Sequence, residues 1–278
     1  MINTTKVHVG HGNRAKKSLG QNFLKSEPAL RMMCSAGEIN DNDIILEIGP
    51  GKGALTIRLL EVASKVIAIE KDRELIEILR EKFANEIKNG KLILLNEDIL
   101  DFSVKDYDLE KNKYKIIANI PYNITGAIFK KFLSDDIQPE RMVLLVQKEV
   151  AERVVARDGK ESILSQSVRA YGTPNYIMKV HKRFFSPSPK VDSAILAIKN
   201  ISKNNFQTEM DEKNFFNVIK TGFAHKRKVL RKNLENLQKK PNQIDNIFEK
   251  LKINPKVRAE DIKFEIWLEI SHQLSTGI

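Results

Sequence analysis

Three observations predict an α/β fold followed by a separate, all-helical region. Short apolar runs alternate with amphipathic helical segments from residue 43 to about residue 200, strand signals stop after that point, and four helical segments complete the chain. Alternating strands and helices of this length indicate βαβ units and a mostly parallel sheet covered on both faces. The 278 residues, 41% of them hydrophobic, suffice for one large domain or an ordinary domain plus a small one.

Seven apolar runs are predicted to form the strands of this sheet. They are Ile44–Ile48, Val66–Glu70, Leu92–Asn96, Tyr114–Asn119, Met142–Val146, Tyr176–Val180 and Ala194–Ile198. Helices are expected between them, as where Leu75, Leu79 and Phe83 recur at helical spacing. The last two runs follow each other through Pro187 and Pro189, which predicts an antiparallel hairpin that closes one edge of the seven-stranded sheet.

The helical region follows a polar segment, Ser202–Thr208, which is the predicted linker. Helical periodicity extends over residues 211–222, 226–238, 242–251 and 258–274, the last with Ile262, Ile266, Ile270 and Leu274 on one face. We therefore predict three parts: a basic N-terminal segment (1–25) whose first dozen residues are mobile, an α/β domain (26–201) and a helical domain (202–278).

The positive charge of the chain is concentrated in three segments. The chain has 47 Lys and Arg against 36 Asp and Glu, a net charge of +11. Residues 1–25, 169–190 and 222–240 together carry 17 basic residues and one acidic residue, so the remainder, with 30 basic and 35 acidic residues, is net acidic. A local basic excess indicates a binding face for a polyanion, and we predict that the three segments surround the mouth of one pocket.

The cysteine and histidine content argues against a secreted or metal-binding protein. The single cysteine, Cys34, cannot form an intrachain disulfide, and no apolar run is long enough for a membrane span or a signal peptide. Cys34 lies in an apolar helical stretch without a neighbouring His, which predicts a core position. The five His residues show no ligand spacing. We therefore expect a cytoplasmic protein with no membrane association and no metal site.

The segment Ile44–Thr56 is predicted to be a strand, a glycine turn and the start of a helix. Gly49, Gly51 and Gly53 let the backbone turn tightly and approach a ligand closely. Glu70 ends the next strand, 21 positions after Gly49. The spacing alone therefore also fits a dinucleotide-binding fingerprint.

Three further features favour S-adenosylmethionine over a dinucleotide as the cofactor. Pro50 lies within the turn and Glu47 just before it, which is unusual where a pyrophosphate is bound. Asp98 ends the third strand, where it can accept a hydrogen bond from an adenine amine. A cationic sulfonium ligand with two ribose hydroxyls suits a site with Glu70 and Asp98 at its rim, whereas a pyrophosphate does not.

The sequence Asn-Ile-Pro-Tyr at the end of the fourth strand predicts a site for a nucleobase amine. An exocyclic adenine amine is a poor nucleophile because its lone pair is delocalised into the ring. The Asn119 side-chain carbonyl and the Pro121 backbone carbonyl can accept its two hydrogens and favour a tetrahedral nitrogen, while Tyr122 stacks on the base. Methyl transfer then depends mainly on alignment. We therefore predict a Rossmann-like S-adenosylmethionine-dependent methyltransferase domain.

A second aromatic residue for this site is expected from the loop Lys182–Ser193. This basic loop is stiffened by two prolines and carries Phe185, which can complete a sandwich around a flipped base. Phe184 is the alternative stacking residue. Arg183 and Lys190 are positioned in sequence to contact phosphates.

With these residues, the chain resembles the KsgA family of small-subunit rRNA adenine N6,N6-dimethyltransferases over nearly its whole length from Lys17. Lys17–Leu24 is similar to the family's N-terminal motif, and Phe223–Arg231 to the basic helix of its helical domain. The resemblance implies that Asn22, Leu24, Gly49, Glu70, Asp98 and Asn119 bind the methyl donor, beside Gly51 of the same turn. It implies that Asn119, Pro121, Tyr122 and Phe185 hold the adenine. The expected RNA contacts are Arg183, Lys190, Lys226, Arg227, Lys228 and Arg231.

The resemblance implies dimethylation of two adjacent adenosines in the 3′-terminal hairpin of small-subunit rRNA during ribosome assembly. The substrate would be a preribosomal particle, and we expect the protein to act as a monomer. Three positions depart from the family pattern: Lys52 where an apolar residue is commoner, Gly126-Ala127 at the start of a helix, and the partial match over Glu161–Ser165.

Two alternative functions remain open at this point. A large-subunit rRNA methyltransferase of the antibiotic-resistance type shares the glycine turn, the Asn-Ile-Pro-Tyr sequence and the Pro-x-Pro loop, although Gln147–Ala151 followed by Arg153 favours the small-subunit enzymes. A non-catalytic RNA-binding assembly factor could keep the fold. Such a binder has no reason to keep Asn119, Pro121, Tyr122, Glu70 and Asp98 together.

Overall fold

The computed structural model of the protein describes Lys16, residues 19–237 and residues 242–276. The strands in this part of the chain are β1 (Phe23–Leu24), β2 (Ile44–Ile48), β3 (Lys65–Glu70), β4 (Leu92–Asn96), β5 (Tyr114–Asn119), β6 (Arg141–Gln147), β7 (Thr173–Val180), β8 (Phe185–Ser186) and β9 (Ser193–Lys199). The α-helices are α1 (Glu27–Gly37), α2 (Ala54–Val62), α3 (Arg73–Lys82), α4 (Ala84–Lys88), α5 (Thr125–Leu133), α6 (Lys148–Val154), α7 (Ile163–Arg169), α8 (Glu209–Gly222), α9 (Leu230–Leu234), α10 (Gln243–Lys250) and α11 (Phe264–Thr276).

Seven strands form one sheet in the order β4-β3-β2-β5-β6-β9-β7. The first five pair in parallel, and β9 is antiparallel to both β6 and β7, so the predicted fold class and the hairpin at one edge are confirmed. The strand order reverses between β3-β2 and β5-β6. Ligands of open α/β sheets bind in the crevice at the carboxyl ends of the strands beside such a reversal, which is where β2 and β5 lead into their loops.

The sheet separates two hydrophobic clusters. One cluster contains side chains of α1 and α2, such as Met33 and Leu59, and Cys34, which was predicted in the core, is only half-buried against it. The other cluster contains Phe132 of α5 and continues without a break to Trp267 of α11. The helical region therefore shares its core with one face of the sheet. No helix in residues 19–237 and 242–276 has the length and apolarity that a membrane span requires.

The predicted helix over residues 226–238 is wrong at its start. Residues 226–229 form a turn, in which the Lys228 amide donates to the His225 carbonyl over 3.0 Å, and α9 begins at Leu230. Val229 is extended and the Leu230 amide donates to the Val257 carbonyl over 2.8 Å, so a tertiary bond replaces a helical one. The last helix also begins late, at Phe264, because Ile262 is extended.

The predicted linker, residues 202–208, is packed against both neighbouring regions. The Ser202 amide donates to the Tyr171 carbonyl over 2.8 Å, and Lys203 pairs with Asp136 at 2.8 Å. The Phe206 ring lies 5.4 Å from the Phe215 ring of α8. Phe206, the single aromatic residue of this polar segment, thus packs between the sheet domain and the helices. The domain boundaries remain predictions, and the first dozen residues, which we expect to be mobile, lie outside the described residues.

Candidate active site

A cavity of about 570 Å³ opens at the carboxyl ends of β2, β3, β4 and β5. Its lining includes residues 19–25, 47–52, 69–71, 97–99 and 119–124, together with Ser186. The structure therefore brings nine of the predicted site residues together around one space: Asn22, Leu24, Gly49, Gly51, Glu70, Asp98, Asn119, Pro121 and Tyr122. Phe185, the tenth, does not line this cavity.

The glycine turn after β2 has the backbone conformation that its sequence predicts. Gly49 and Gly51 have φ angles of 65° and 59°, in the left-handed region that side chains disfavour. A Cβ atom at Gly51 would lie 2.9 Å from the Phe23 ring. Glycine is thus required at this position both by its conformation and by the N-terminal segment packed upon it.

The Glu70 carboxylate is held at the end of β3 by backbone donors. Oε2 accepts from the Gly51 amide over 3.1 Å and Oε1 from the Asp72 amide over 2.9 Å. Burial raises the pKa of Glu70, and the backbone hydrogen bonds oppose this rise. Each oxygen has a second lone pair, so the group can still accept two hydroxyl donors from a ligand.

Asp98 is the second acid at the rim and remains partly exposed. Its Oδ1 accepts from the Leu100 amide over 3.0 Å, and its Oδ2 pairs with the Lys71 ammonium at 2.6 Å. The hydrogen bond from Lys71 lowers the pKa of Asp98. The carboxylate therefore stays ionised and suits a ligand that donates an amine hydrogen.

A third acid, Glu47, lies beneath the glycine turn and was predicted only as a flanking feature. It is 1% exposed, and its Oε2 has no hydrogen-bond partner among the described residues. Burial raises the pKa of Glu47 to about 8. The group is thus mainly protonated at neutral pH, and Glu47 is one of the residues that line the cavity.

The side chain of Asn119 is oriented by the N-terminal segment. Its Nδ2 donates to the Asn22 carbonyl over 3.0 Å. Because a carbonyl can only accept, this bond fixes which end of the amide is nitrogen and leaves Oδ1 free as an acceptor. The Pro121 carbonyl makes only a 3.3 Å bond with the Ile124 amide and keeps a lone pair. Two carbonyl acceptors are therefore available at the wall of the cavity.

Tyr122 follows these acceptors in a short 3₁₀ turn. Its hydroxyl lies 2.6 Å from Oγ of Ser193, the first residue of β9. Burial raises the pKa of Tyr122, so its hydroxyl stays protonated at neutral pH. The aromatic ring is thereby tethered at its far end to the sheet.

The N-terminal segment and the proline-containing loop meet in a two-stranded ladder. β1 pairs antiparallel with β8, placing Phe23 opposite Ser186 and Leu24 opposite Phe185, and the Lys25 amide donates to the Phe184 carbonyl over 2.8 Å. Phe185 points into the hydrophobic cluster against α1 and is 5% exposed. Phe184 is half-buried, with the Arg183 guanidinium 5.0 Å from its ring centre. In this structure neither ring lines the cavity.

Several residues of the site were missed by sequence reasoning. Gln21 donates to Asp72 over 2.8 Å, and Lys16 pairs with the same carboxylate at 2.8 Å, so the N-terminal segment is anchored at the start of α3. Asp72 directly precedes α3 as its N-cap, which was the available signal. Lys52, the predicted departure from the family pattern, lies with its ammonium 5.3 Å from the centre of the Phe23 ring.

The predicted RNA-contacting residues fall into two groups. Arg183, Lys190 and residues 226–228 are exposed and make no ion pair with other described residues. Arg231 differs, because its guanidinium binds Asp245 at 2.7 Å and Glu235 at 2.9 Å. Its charge is already neutralised within the helical region, which weakens its assignment as a phosphate contact. Lys17, Lys239 and Lys240 of the basic segments lie outside the described residues.

The fold and the site together define a class of protein. A parallel sheet with a glycine turn after β2, acids at the ends of β3 and β4, and an Asn-Ile-Pro-Tyr turn after β5 define an S-adenosylmethionine-dependent methyltransferase of Rossmann-like fold. The chain belongs to the ribosomal RNA adenine dimethylase family, whose sequence profile matches residues 12–276. The resemblance drawn from the sequence is thus confirmed.

Related sequences and solved structures agree with this assignment. A Fusobacterium nucleatum protein named ribosomal RNA small subunit methyltransferase A is 37% identical over 92% of this chain and 96% of its own length. A Dehalococcoides mccartyi protein of the same name is 38% identical over 97% of this chain and 92% of its own length. The crystal structure of a Plasmodium falciparum dimethyladenosine transferase superimposes with a TM-score of 0.77 at 26% identity, covering 91% of this chain and 98% of that one. The crystal structure of the 23S rRNA methyltransferase ErmE shows the same fold, with a TM-score of 0.76 at 24% identity. The match covers 91% of this chain and 100% of that one.

Proposed function

We propose that the protein transfers methyl groups from S-adenosylmethionine to the N6 amines of two adjacent adenosines in the 3′-terminal hairpin of small-subunit rRNA, dimethylating both during ribosome assembly. The observation that carries this proposal is the orientation of Asn119, whose Nδ2 is held by the Asn22 carbonyl so that Oδ1 is free to accept from a base amine. The choice of small-subunit rRNA as substrate is supported by the names of the Fusobacterium nucleatum and Dehalococcoides mccartyi relatives.

The residues at the cavity fit the methyl donor. Glu70 would accept the two ribose hydroxyls and Asp98 the adenine amine, beside a glycine turn in which a Cβ at Gly51 would meet the Phe23 ring at 2.9 Å. Asn22 and Leu24 would close the site from the N-terminal side. S-adenosylmethionine, when bound, supplies an electrophilic methyl group on a cationic sulfur. The acids around the cavity suit that positive charge.

The residues after β5 would prepare the nucleophile. Asn119 Oδ1 and the Pro121 carbonyl accept the two hydrogens of the amine, which favours a tetrahedral nitrogen with a directed lone pair. Tyr122 stacks on the base and limits its rotation, a contact worth about 1–3 kcal/mol in nucleic-acid sites. No side chain is needed as a general base, because the methylated ammonium loses its proton readily to water. Alignment therefore supplies most of the rate.

The RNA would be held mainly outside the cavity. Arg183 and Lys190 flank the ladder that closes the cavity, and Lys226, Arg227 and Lys228 project from the turn before α9. Exposed cations without internal partners are suited to phosphates. We propose a preribosomal particle as the partner of a monomeric, cytoplasmic enzyme, with these five residues as its phosphate contacts and Phe185 or Phe184 as the second stacking residue after the loop moves.

Labelled S-adenosylmethionine and small ribosomal subunits that lack dimethyladenosine test the function directly. We expect label in two adjacent adenosines of the 3′-terminal hairpin, located by mass spectrometry of nuclease fragments, and none in large subunits treated in parallel. Label in large-subunit RNA alone would assign the chain to the antibiotic-resistance type. Normal RNA binding without transfer would show a non-catalytic assembly factor.

A further inference from the structure

We propose that Ser193 is a positioning residue, which sets the plane of the Tyr122 ring for stacking on the target base. This inference rests on the proposed function and extends it to a residue outside the cavity. Ser193 is 0% exposed, and its Oγ lies 2.6 Å from the Tyr122 hydroxyl. Among the described residues this is the only hydrogen bond that either hydroxyl makes.

Ser193 is paired on both sides within the sheet, whereas Tyr122 lies outside the sheet. As the first residue of β9, Ser193 is paired with Gln147 of β6 on one side and Val180 of β7 on the other. Tyr122 lies beyond the end of β5, in a turn of three residues whose neighbour Asn123 is exposed. The hydrogen bond between the two hydroxyls therefore holds the far end of the Tyr122 ring in place relative to the sheet.

The residue before Ser193, Asp192, anchors the loop that carries the two candidate stacking rings. The Asp192 carboxylate accepts from the Lys182 amide over 3.0 Å and pairs with Lys179 at 2.9 Å. Its backbone carbonyl accepts from the Lys148 amide over 2.9 Å, at the start of α6. Two consecutive residues thus fix both the turn that carries Tyr122 and the loop that carries Phe184 and Phe185.

Removing the Ser193 hydroxyl should affect the rate more than substrate affinity. In Ser193→Ala the Tyr122 hydroxyl loses its partner, so the ring is free to leave the stacking plane to find another. RNA affinity depends mainly on phosphate contacts elsewhere, and donor binding does not involve the ring. We expect kcat to fall about tenfold, with KM for small subunits and Kd for S-adenosylmethionine changed by less than about twofold.

A double-mutant cycle with Tyr122→Phe distinguishes positioning from a general loss of stability. Tyr122→Phe keeps the ring and removes the same hydrogen bond, so the double variant should be no slower than either single variant. Ser165→Ala is the matched control, because Ser165 is also 0% exposed and its hydroxyl bonds to Ser162, the N-cap residue of α7, away from the cavity. It should lower the melting temperature without lowering kcat.

Three results would overturn the proposal. Wild-type kcat in Ser193→Ala, or additive losses in the cycle, would show that the hydroxyl pair does not orient the ring. A loss of kcat in Ser165→Ala equal to that in Ser193→Ala would assign the effect to stability. If the wild-type chain binds the subunits but transfers no methyl group, the proposed function fails and the positioning role fails with it, which is a separate and recognisable outcome.

Discussion

The donor cavity and the exposed basic turns differ in how their functional groups are held. Around the cavity, Glu70 accepts two backbone amides, Asn119 is bound to the Asn22 carbonyl, and Tyr122 is bound to Ser193. In the turns, Arg183, Lys190 and residues 226–228 are exposed and without ion pairs to described residues. The chemistry is therefore built on groups whose positions are fixed before any ligand arrives.

The fixed groups of the cavity and the exposed cations of the turns should therefore contribute to activity in different ways. A preorganised group acts only in one geometry, so its removal should produce a large, localised loss that is insensitive to salt. An exposed cation acts through charge, so its removal should produce a smaller loss that is additive with its neighbours and strongly dependent on salt. Four variants follow, in order of decreasing expected effect on function; the first three test this division.

Asn119→Ala should cause the largest loss. The variant lacks one of the two acceptors for the amine and also the bond that ties the turn to Asn22. We expect kcat to fall by about 100-fold or more while RNA binding is retained. Single-turnover methyl transfer and filter binding to small subunits measure the two quantities. Asn175→Ala, on the edge strand β7, is the control. Near-wild-type transfer by Asn119→Ala would show that nitrogen activation does not depend on this side chain.

Gly51→Ala should have the next largest effect, on donor binding. Both Gly51 and Gly90 have positive φ angles, 59° and 79°, so alanine at either costs about 1–2 kcal/mol of stability. Only at Gly51 would the added Cβ meet a neighbour, the Phe23 ring at 2.9 Å, whereas Gly90 has nothing within 4 Å. Calorimetric titration with S-adenosylmethionine should show affinity at least about tenfold weaker for Gly51→Ala. Equal affinities in the two variants would contradict a steric role for the turn.

Replacing Lys226, Arg227 and Lys228 by alanine should weaken RNA binding in a salt-dependent manner. Loss of three phosphate contacts reduces the slope of log K against log salt by about 2–3. The control is the alanine triple at Lys88, Lys105 and Lys111, which removes the same charge from exposed positions outside the basic segments. If both triples reduce the slope equally, net charge rather than a defined face explains binding.

Glu47→Gln should have the smallest effect on function. We expect it to change the pH dependence of the free energy of unfolding rather than the rate of methyl transfer. The pKa of Glu47 is about 8 in the folded protein, raised by burial above its usual 4.5, with Glu70 adding to the rise and Lys82 opposing it. Between pH 4.5 and about pH 8 the unfolded chain loses a proton that the folded chain keeps, so wild-type stability falls as pH rises, by about 1.4 kcal/mol per pH unit. Urea unfolding at pH 5.5 and pH 8 should show a smaller decrease in the variant. An identical pH dependence would mean that Glu47 titrates normally.

The sheet was predictable from sequence because its strands are buried on both faces. The mainly apolar run Ile44–Ile48 agrees with β2 in both bounds, whereas β7 begins three residues before the predicted run Tyr176–Val180. The donor-site acids were predictable for the same reason, since residues at the carboxyl ends of parallel strands meet at one edge of the sheet.

Contacts between distant segments were not predictable. The bond between Asn22 and Asn119 joins residues 97 positions apart, and no local pattern encodes it. Phe185 turns away from the cavity because Leu24 pairs with it across the β1–β8 ladder. The basic stretch at residues 226–229 has helical periodicity, but the Leu230 amide donates to the Val257 carbonyl instead of to a helical partner, so α9 begins only at Leu230. In each case a tertiary contact overrides the local preference.

The position of β9 in the sheet has a consequence for biosynthesis. β9 lies between β6 and β7, so β6 keeps an unpaired edge and β7 has no partner in the sheet until residues 193–199 have left the ribosome. The strands β2 to β6 can pair as they emerge, whereas the outer third of the sheet must wait for its last strand. An incomplete nascent chain therefore exposes an apolar strand edge, the kind of surface on which chains associate wrongly. Translation that pauses shortly before residue 193 would prolong that exposure.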